Sequence, residues 1–156
     1  TRWRRDRDEK TSWSSPAIVE HEGRAQVVLS GGNFARAYDL ETGEEVWPLL
    51  WGGELYMLKD VVSGNTFVSS FEAATGKPHY QDARLPQSWT IKASPVGAAG
   101  RIYLSSEEGD VIVLARGHEL EVLAVNSMGE QILATPAIAG SDLFLRTRSH
   151  LWRIAE

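Results

Sequence analysis

Length, composition and charge place this chain among single-domain globular proteins. It has 156 residues and a mass of 17.3 kDa, enough to bury about 68–70% of its unfolded surface, and its 42% hydrophobic content excludes a disordered chain. The net charge of −5 argues against nucleic acid as the main partner. The lack of cysteine excludes disulfides and cysteine-ligated metals, and no apolar run approaches the ~18 residues of a membrane span.

Short β-strands separated by turns are expected along the whole chain. Apolar and β-branched residues recur in runs of about four to seven between Gly, Asp, Asn and Ser, and no helical stripe lasts more than two turns. In chain order the predicted strands are 17–19, 25–30, 34–38, 54–58, 67–71, 101–105, 111–115, 121–126, 143–146 and 151–154. Hairpin turns are predicted at Gly31-Gly32-Asn33, Ser63-Gly64-Asn65 and Glu108-Gly109-Asp110, and an all-β fold follows.

A repeat of about 40 residues favours a β-propeller of four-stranded antiparallel blades among the all-β folds. A small residue followed by proline opens three units, at Ser15-Pro16, Ser94-Pro95 and Thr135-Pro136. Pro48 opens a fourth unit, in which the small residue is replaced. The four prolines are 32, 47 and 41 residues apart, which is the spacing expected of successive blades.

A second motif lies later in the repeat, where a strand ends and a turn begins. The first copy is Ala37-x-Asp39-x-x-x-Gly43-x-x-x-Trp47, and the second, relaxed copy is Ser70-x-Glu72-x-x-x-Gly76-x-x-x-Tyr80. An acid at the start of such a turn can accept hydrogen bonds from backbone N–H groups two residues on, and the glycine supplies a positive φ.

The motif resembles the tryptophan-docking motif of the quinoprotein (PQQ-like) β-propellers, a family that includes PQQ alcohol dehydrogenases and the outer-membrane-assembly lipoprotein propeller. The resemblance implies that an aromatic of one blade packs over the turn of the next and locks the two together. The structural docking residues would then be Ala37, Asp39, Gly43, Trp47, Glu72, Gly76 and Tyr80. The run from Trp3-Arg4-Arg5-Asp6 to Trp47 also resembles PQQ-like repeat proteins of environmental bacteria, which are often exported.

The repeat divides a single domain over 1–156 into about four blade-equivalents, at 13–47, 48–85, 89–127 and 131–156. The first three are expected to be complete, whereas the last supplies only three strands. Residues 3–8 resemble an outer strand that has no blade before it. Pairing that strand with the last three would close a ring by a strand from each terminus and remove an unpaired edge.

One junction does not fit a regular propeller. Trp47 is followed directly by Pro48, yet the path from the rim of a blade to the axis spans ~15 Å at about 3.3 Å per residue. Either the second unit lacks its first strand, or a segment is missing between these two residues. The second interpretation is favoured, with the chain joining parts of a larger propeller of about seven or eight blades. The alternative is a short natural chain that completes a ring with copies of itself.

The resemblance also raises the hypothesis of a PQQ site with Ca²⁺, which the residues argue against. The alcohol and methanol dehydrogenases of the family use a catalytic Asp, Ca²⁺ held by Glu and Asn, and adjacent cysteines over the cofactor. This chain has no cysteine and offers no Asp, Glu and Asn trio at matched blade positions. No catalytic residue, cofactor or metal ligand is therefore predicted.

Other polar residues give weaker hypotheses. His150 is a candidate ligand in a central channel, although a solvated hairpin position is the simpler interpretation. Three arginines near the last hairpin form an anion patch at the channel mouth or pair with acids of the neighbouring blade: Arg146, Arg148 and Arg153. The basic start alternates with acids, which indicates a salt-bridged edge strand rather than a nucleic-acid arm.

The sequence therefore predicts a non-catalytic PQQ-like propeller that serves as a protein-interaction or assembly scaffold. Its partner would be another protein or a copy of itself at the blade edges, and by resemblance it would lie outside the cytoplasm, periplasmic or secreted. One alternative is a PQQ-dependent oxidoreductase fragment whose active site lies in missing blades. Another is a propeller that binds carbohydrate or peptide.

Overall fold

The structure is a computed structural model that describes residues 2–6, 16–21, 24–30, 35–46, 53–61, 65–73 and 75–155. Within these ranges every regular element is a β-strand, and the strands are β1 (Ala17–His21), β2 (Arg24–Ser30), β3 (Ala35–Asp39), β4 (Glu54–Val61), β5 (Asn65–Glu72), β6 (Pro78–Arg84), β7 (Val96–Ala98), β8 (Arg101–Ser105), β9 (Asp110–Ala115), β10 (Val122–Ser127), β11 (Ala137–Ala139), β12 (Asp142–Arg146) and β13 (Leu151–Ile154). The all-β prediction is confirmed.

The strands form four separate sheets, each built from strands adjacent in sequence. Their orders are β1-β2-β3, β4-β5-β6, β10-β9-β8-β7 and β11-β12-β13. The pairings of the first, third and fourth sheets are antiparallel, with registers such as Ala17↔Val28 and Leu143↔Ile154. Turn residues recur every eight to twelve positions along this chain. Such a pattern is expected to give consecutive antiparallel strands joined by short turns.

The described sheets differ from the expectation of complete blades in the first two units. The first sheet has three described strands, after which Glu45 makes a single bridge back to Tyr38. The second sheet also has three described strands. Its turn, which includes Ala73, Thr75 and Gly76, follows β5, as the turn at residues 40–43 follows β3 in the first sheet. By this alignment the second sheet lacks a first strand among its described residues. The Trp47–Pro48 junction lies outside the described residues.

The strand expected at residues 3–8 does not appear among its described residues. Residues 3–6 lie outside any strand, and residues 7 and 8 fall outside the described part of the chain. Three strands were not predicted: β6, β7 and β11. The first begins with proline and is largely polar, and the other two have three residues each, so none carries a long apolar run.

The chain divides into two compact units, Thr1–Met57 with Ser69–Gln81, and Leu58–Val68 with Asp82–Glu156. The core of the first contains Val28, Ala37 and Ala73, with Val46 and Leu55 packed against them. The core of the second contains Val111, Ile132 and Leu145, with Tyr103 and Met128 against them. These clusters bury strand residues together with residues of the connecting segments, so the connections are part of the core.

The inner strand β9 of the third sheet is buried on both faces. Four consecutive side chains of β9, Val111 to Leu114, are buried, and this strand lies between β8 and β10. A continuous apolar run is typical of a strand covered on both sides, whereas a strand with one wet face alternates apolar and polar residues. The strand β9 therefore has the burial of a strand covered on both faces.

Candidate functional site

The first candidate site is the turn that follows β3, where the motif residues Asp39 and Gly43 lie. The Oδ1 atom of Asp39 accepts hydrogen bonds from the backbone N–H groups of Glu41 at 2.9 Å and Thr42 at 2.8 Å. Gly43 has a φ of +69° and donates its N–H to the Asp39 carbonyl. The bond from the Thr42 N–H, more than any other contact, holds the pKa of the Asp39 carboxyl below its usual range. The acid and the glycine thus have the turn geometry expected from sequence.

The side chain that lies over this turn is Trp3. Its indole Nε1 donates to the Leu40 carbonyl at 2.9 Å, and its ring centroid lies 6.3 Å from that of Tyr38. The guanidinium Nε of Arg5 donates to the Gly43 carbonyl at 2.7 Å. A backbone turn with a tryptophan bonded across it combines a large apolar contact with a directional hydrogen bond. The sequence does not assign docking to Trp3, although the run from Trp3 to Asp6 resembles part of the repeat.

The remaining residues of the first motif copy divide between buried and undescribed positions. Ala37 is fully buried in the core of its unit, where it packs with Val28 and Ala73. Trp47, the aromatic of the first copy, lies outside the described residues. The inter-blade packing of Trp47 therefore stays a prediction.

The second motif copy forms the same kind of turn, but its carboxylate accepts a different hydrogen-bond donor. Gly76 has a φ of +70° and donates its N–H to the Glu72 carbonyl at 2.8 Å. The Glu72 carboxylate accepts the Thr75 hydroxyl. Asp39, one methylene shorter, bonds backbone N–H groups at the corresponding turn.

Tyr80 of this copy lies in β6, four residues after the glycine, and is half-buried. Burial raises the pKa of Tyr80 to about 12, and its hydroxyl is buried without a partner among the described residues. The aromatic position of the motif therefore lies on the outer strand of this sheet.

A third contact, missed by sequence reasoning, joins Trp89 to the hairpin between β8 and β9. The buried indole donates from Nε1 to the Asp110 carboxylate at 2.9 Å, and the Trp89 carbonyl accepts the Thr66 hydroxyl at 2.9 Å. The next residue, Thr90, donates its N–H to both carboxylate oxygens of Glu108 at 3.0 Å. Burial raises the pKa of Glu108, but hydrogen bonds from its own N–H, Thr90 and Ser106 outweigh it and leave the pKa low.

A fourth contact joins Glu130 to the hairpin between β12 and β13. Its carboxylate accepts the Thr147 hydroxyl at 2.7 Å and the Ser149 N–H at 3.0 Å, and it bonds the Nδ1 atom of His150 at 2.7 Å. The Thr147 hydroxyl also accepts the indole N–H of Trp152 at 3.2 Å. The Thr147 hydroxyl contributes most to lowering the pKa of Glu130. We call this group the Glu130 clasp, defined by Glu130, Thr147, Ser149, His150 and Trp152.

The third and fourth contacts occupy equivalent positions of the repeat. Trp89 lies five residues before Ser94, and Glu130 lies five residues before Thr135; the hydroxyl of Thr135 accepts the Ser94 N–H at 3.0 Å. In the third sheet the connecting segment supplies an indole donor and the hairpin supplies an acid. In the fourth sheet the segment supplies the acid and the hairpin supplies donors. The repeat conserves the contact between connection and hairpin but reverses its donor and acceptor. A proline alignment could have located both positions.

The Glu130 clasp and a neighbouring ion pair give partners to two of the residues considered from sequence. The Nδ1 atom of His150 is bonded to Glu130, which lies in the segment between β10 and β11. Arg153 binds Asp142 of its own sheet at 2.7 Å, so its pairing with an acid of a neighbouring blade is wrong. Within the described ranges, no three His, Asp or Glu side chains gather as a metal site. No helix of the described chain is long and apolar enough to cross a membrane.

No family model and no curated protein matches the chain. Solved structures do match. BamB from Moraxella catarrhalis aligns with a TM-score of 0.57 and 16% identity, over 88% of this chain and 45% of that one. The computationally designed Ika4 protein aligns with a TM-score of 0.53 and 8% identity, over 95% of each chain.

The chain has a β-propeller-like fold. It spans about half the length of the BamB chain and nearly the whole length of Ika4. At these identities the likeness concerns the fold alone.

Proposed function

We propose that the protein is a non-catalytic scaffold of the PQQ-like propeller class that acts through protein contacts. The fold likeness to BamB supports the scaffold, and the docking turns at Asp39 and Glu72 support the PQQ-like class. An extracytoplasmic location is proposed on the resemblance to exported repeat proteins.

The use of the carboxylates in the repeat carries this proposal. Asp39, Glu108 and Glu130 each accept backbone N–H groups, from a turn, a connecting segment and a hairpin respectively, and each has a lowered pKa. A general acid at neutral pH needs the opposite, a carboxyl whose pKa is raised toward 7 and whose oxygens face a cleft. These acids therefore build the fold, as expected of a scaffold.

Large apolar side chains on the surface supply the contact area that a scaffold needs. Two of them, Leu123 and Val125, lie on β10, the outer strand of the third sheet, and are exposed by 47% and 42%. Exposed apolar residues in a contiguous patch are typical of protein-binding surfaces.

A test separates the scaffold from the quinoprotein enzyme and from the sugar-binding propeller. The chain is titrated with PQQ and Ca²⁺ and assayed for cofactor absorbance and dye-linked alcohol oxidation, and it is applied to a glycan array. We expect no signal in these assays. We also expect a photo-crosslinking residue at position 123 to trap a defined protein in the native host, whose purified form binds the wild type but not Leu123→Asp. Glu121→Ala, on the residue before β10, is the matched control. Alcohol oxidation or specific glycan binding would contradict the proposal.

A further inference from the structure

The segment between the second and third sheets contacts both of them through a single residue, Trp89. Its backbone carbonyl accepts the hydroxyl of Thr66, near the start of β5, at 2.9 Å. Its indole Nε1 donates to Asp110, at the hairpin between β8 and β9. One residue therefore bonds the preceding sheet through its backbone and the following sheet through its side chain.

Glu130 repeats this arrangement in the segment between the third and fourth sheets. Met128 donates its N–H to the Gly109 carbonyl at 2.8 Å, and the backbone of Glu130 lies against Gly109, where an added Cβ atom would stand 2.5 Å from the Glu130 carbonyl oxygen. The Glu130 carboxylate accepts the Thr147 hydroxyl and the Ser149 N–H of the hairpin between β12 and β13. The backbone of this residue thus contacts the third sheet, and its side chain bonds the fourth.

Trp89 and Glu130 hold equivalent positions of the repeat, each five residues before the small residue that precedes a proline. We propose that they form a relay, which couples the start of β5, the hairpin between β8 and β9 and the hairpin between β12 and β13 in series. Because the backbone of Glu130 lies against Gly109, its carboxylate keeps its place on the last hairpin only while the preceding hairpin is closed. The opening of one hairpin therefore loosens the next, as a local opening within the folded chain.

Burial ties the two bonds at Trp89 to each other. Trp89 is 2% exposed and Thr66 is 1% exposed, so water does not take the place of a lost partner. A buried indole N–H or hydroxyl that loses its partner is costly to the folded state. A shift of Trp89 away from either partner therefore weakens its bond to the other.

The relay is a property of the fold and stands apart from the choice of binding partner. A partner that holds one of these hairpins closed would stabilise the next one, which gives a scaffold a way to link contacts on different sheets. Only this consequence rests on the proposed scaffold function.

Amide hydrogen exchange followed by NMR tests the relay. Gly109→Ala displaces the backbone of Glu130, and we expect the N–H groups of Thr147 and Ser149 to exchange about tenfold faster relative to the slowest amides of the chain, which report global unfolding. Gly100→Ala is the matched control, because Gly100 also has a positive φ but nothing within 4 Å of an added Cβ. Equal relative acceleration in both variants, or none in either, would overturn the relay.

The double variant Gly109→Ala/Glu130→Ala shows whether the effect passes through the Glu130 side chain. Glu130→Ala removes the carboxylate that holds the last hairpin, so the Thr147 amide should already exchange fast in the single variant. Adding Gly109→Ala should then accelerate this amide no further. A second acceleration of about tenfold would show another route between the hairpins and would overturn the role of Glu130.

Thr66→Val tests the first link of the relay with a milder change. It removes the hydroxyl that the Trp89 carbonyl accepts, and we expect faster relative exchange of the Ser106 N–H, which bonds the Asp110 carbonyl across the hairpin between β8 and β9. Ser70→Ala is the control, since it also removes a buried hydroxyl from β5, one without a partner among the described residues.

This second pair of variants decides the question if Gly109→Ala does not fold. A Ser106 amide that stays as protected in Thr66→Val as in Ser70→Ala would overturn the relay. Because no partner enters these measurements, either outcome leaves the PQQ, glycan and partner assays to test the scaffold function separately.

Discussion

The indole of Trp3 lies directly against the α-carbon of Gly43. A Cβ atom added at Gly43 would stand 2.4 Å from Cδ2 of the indole, closer than any real Cβ contact. Two features therefore require glycine at this position: its φ of +69° and the close approach of the indole ring. This relationship gives the spacing from Asp39 to Gly43 a structural reason that does not involve catalysis.

Gly43→Ala should cost more stability than alanine at a glycine of the same conformation. Gly129 also has a φ of +69° and nothing within 4 Å of an added Cβ, so Gly129→Ala measures the backbone strain alone, about 1 kcal/mol. Gly43→Ala must also displace Trp3, which we expect to add about 1–3 kcal/mol. Urea denaturation measures both. In a Trp3→Ala background the excess should disappear, and an excess that persists would contradict the contact.

Trp89→Phe should destabilise the protein by about 2–4 kcal/mol in urea denaturation. The substitution removes a hydrogen bond from a buried indole to the Asp110 carboxylate and leaves a gap beside the hairpin. Asp110→Asn keeps an oxygen acceptor for the indole and should lose only about 1 kcal/mol. A loss in Trp89→Phe no larger than about 1 kcal/mol would contradict the contribution of this hydrogen bond and of the buried indole.

Acid should weaken the Glu130 clasp. The folded protein lowers the pKa of Glu130, so the stabilisation is present above the ordinary glutamate pKa of about 4.3 and is lost as the pH falls through the lower folded value. Glu130→Gln should flatten the decline of the urea midpoint between about pH 5 and pH 3. Glu119→Gln, at an exposed glutamate between β9 and β10, should keep the wild-type decline. A Glu130→Gln profile parallel to wild type would refute the clasp as a source of acid sensitivity.

Alkali should act on the second docking position through Tyr80. In the unfolded chain a tyrosine loses its proton near pH 10, whereas the folded protein holds the pKa of Tyr80 at about 12. Stability from this residue is therefore present below pH 10 and lost as the pH rises toward 12. Tyr80→Phe should reduce the alkaline fall of the urea midpoint without destabilising the protein at pH 7. Tyr103→Phe, at another half-buried tyrosine, is the control.

Short apolar runs and turn residues were sufficient to predict ten of the thirteen strands, because alternation and glycine placement are local properties. The strands β7 and β11, of three residues each, were not predicted from sequence. Their pairing with β8 and β12 makes them strands, and their own composition does not indicate it. The strand β6 was not predicted because its residues are mostly polar. It is a strand only because it pairs with β5 at the edge of the sheet.

The sequence by itself determined the all-β class, the repeat and the acid and glycine of the docking turns, because each depends on residues a few positions apart. Only the tertiary structure decided that Trp3 covers the Gly43 turn and binds the Leu40 carbonyl, 37 residues away. The same is true of the two contacts between connecting segment and hairpin, in which Trp89 donates to Asp110 and Glu130 accepts from Thr147. Such pairings depend on which segments the sheets bring together in space, because the repeat can locate equivalent positions but does not show which side chains bond there.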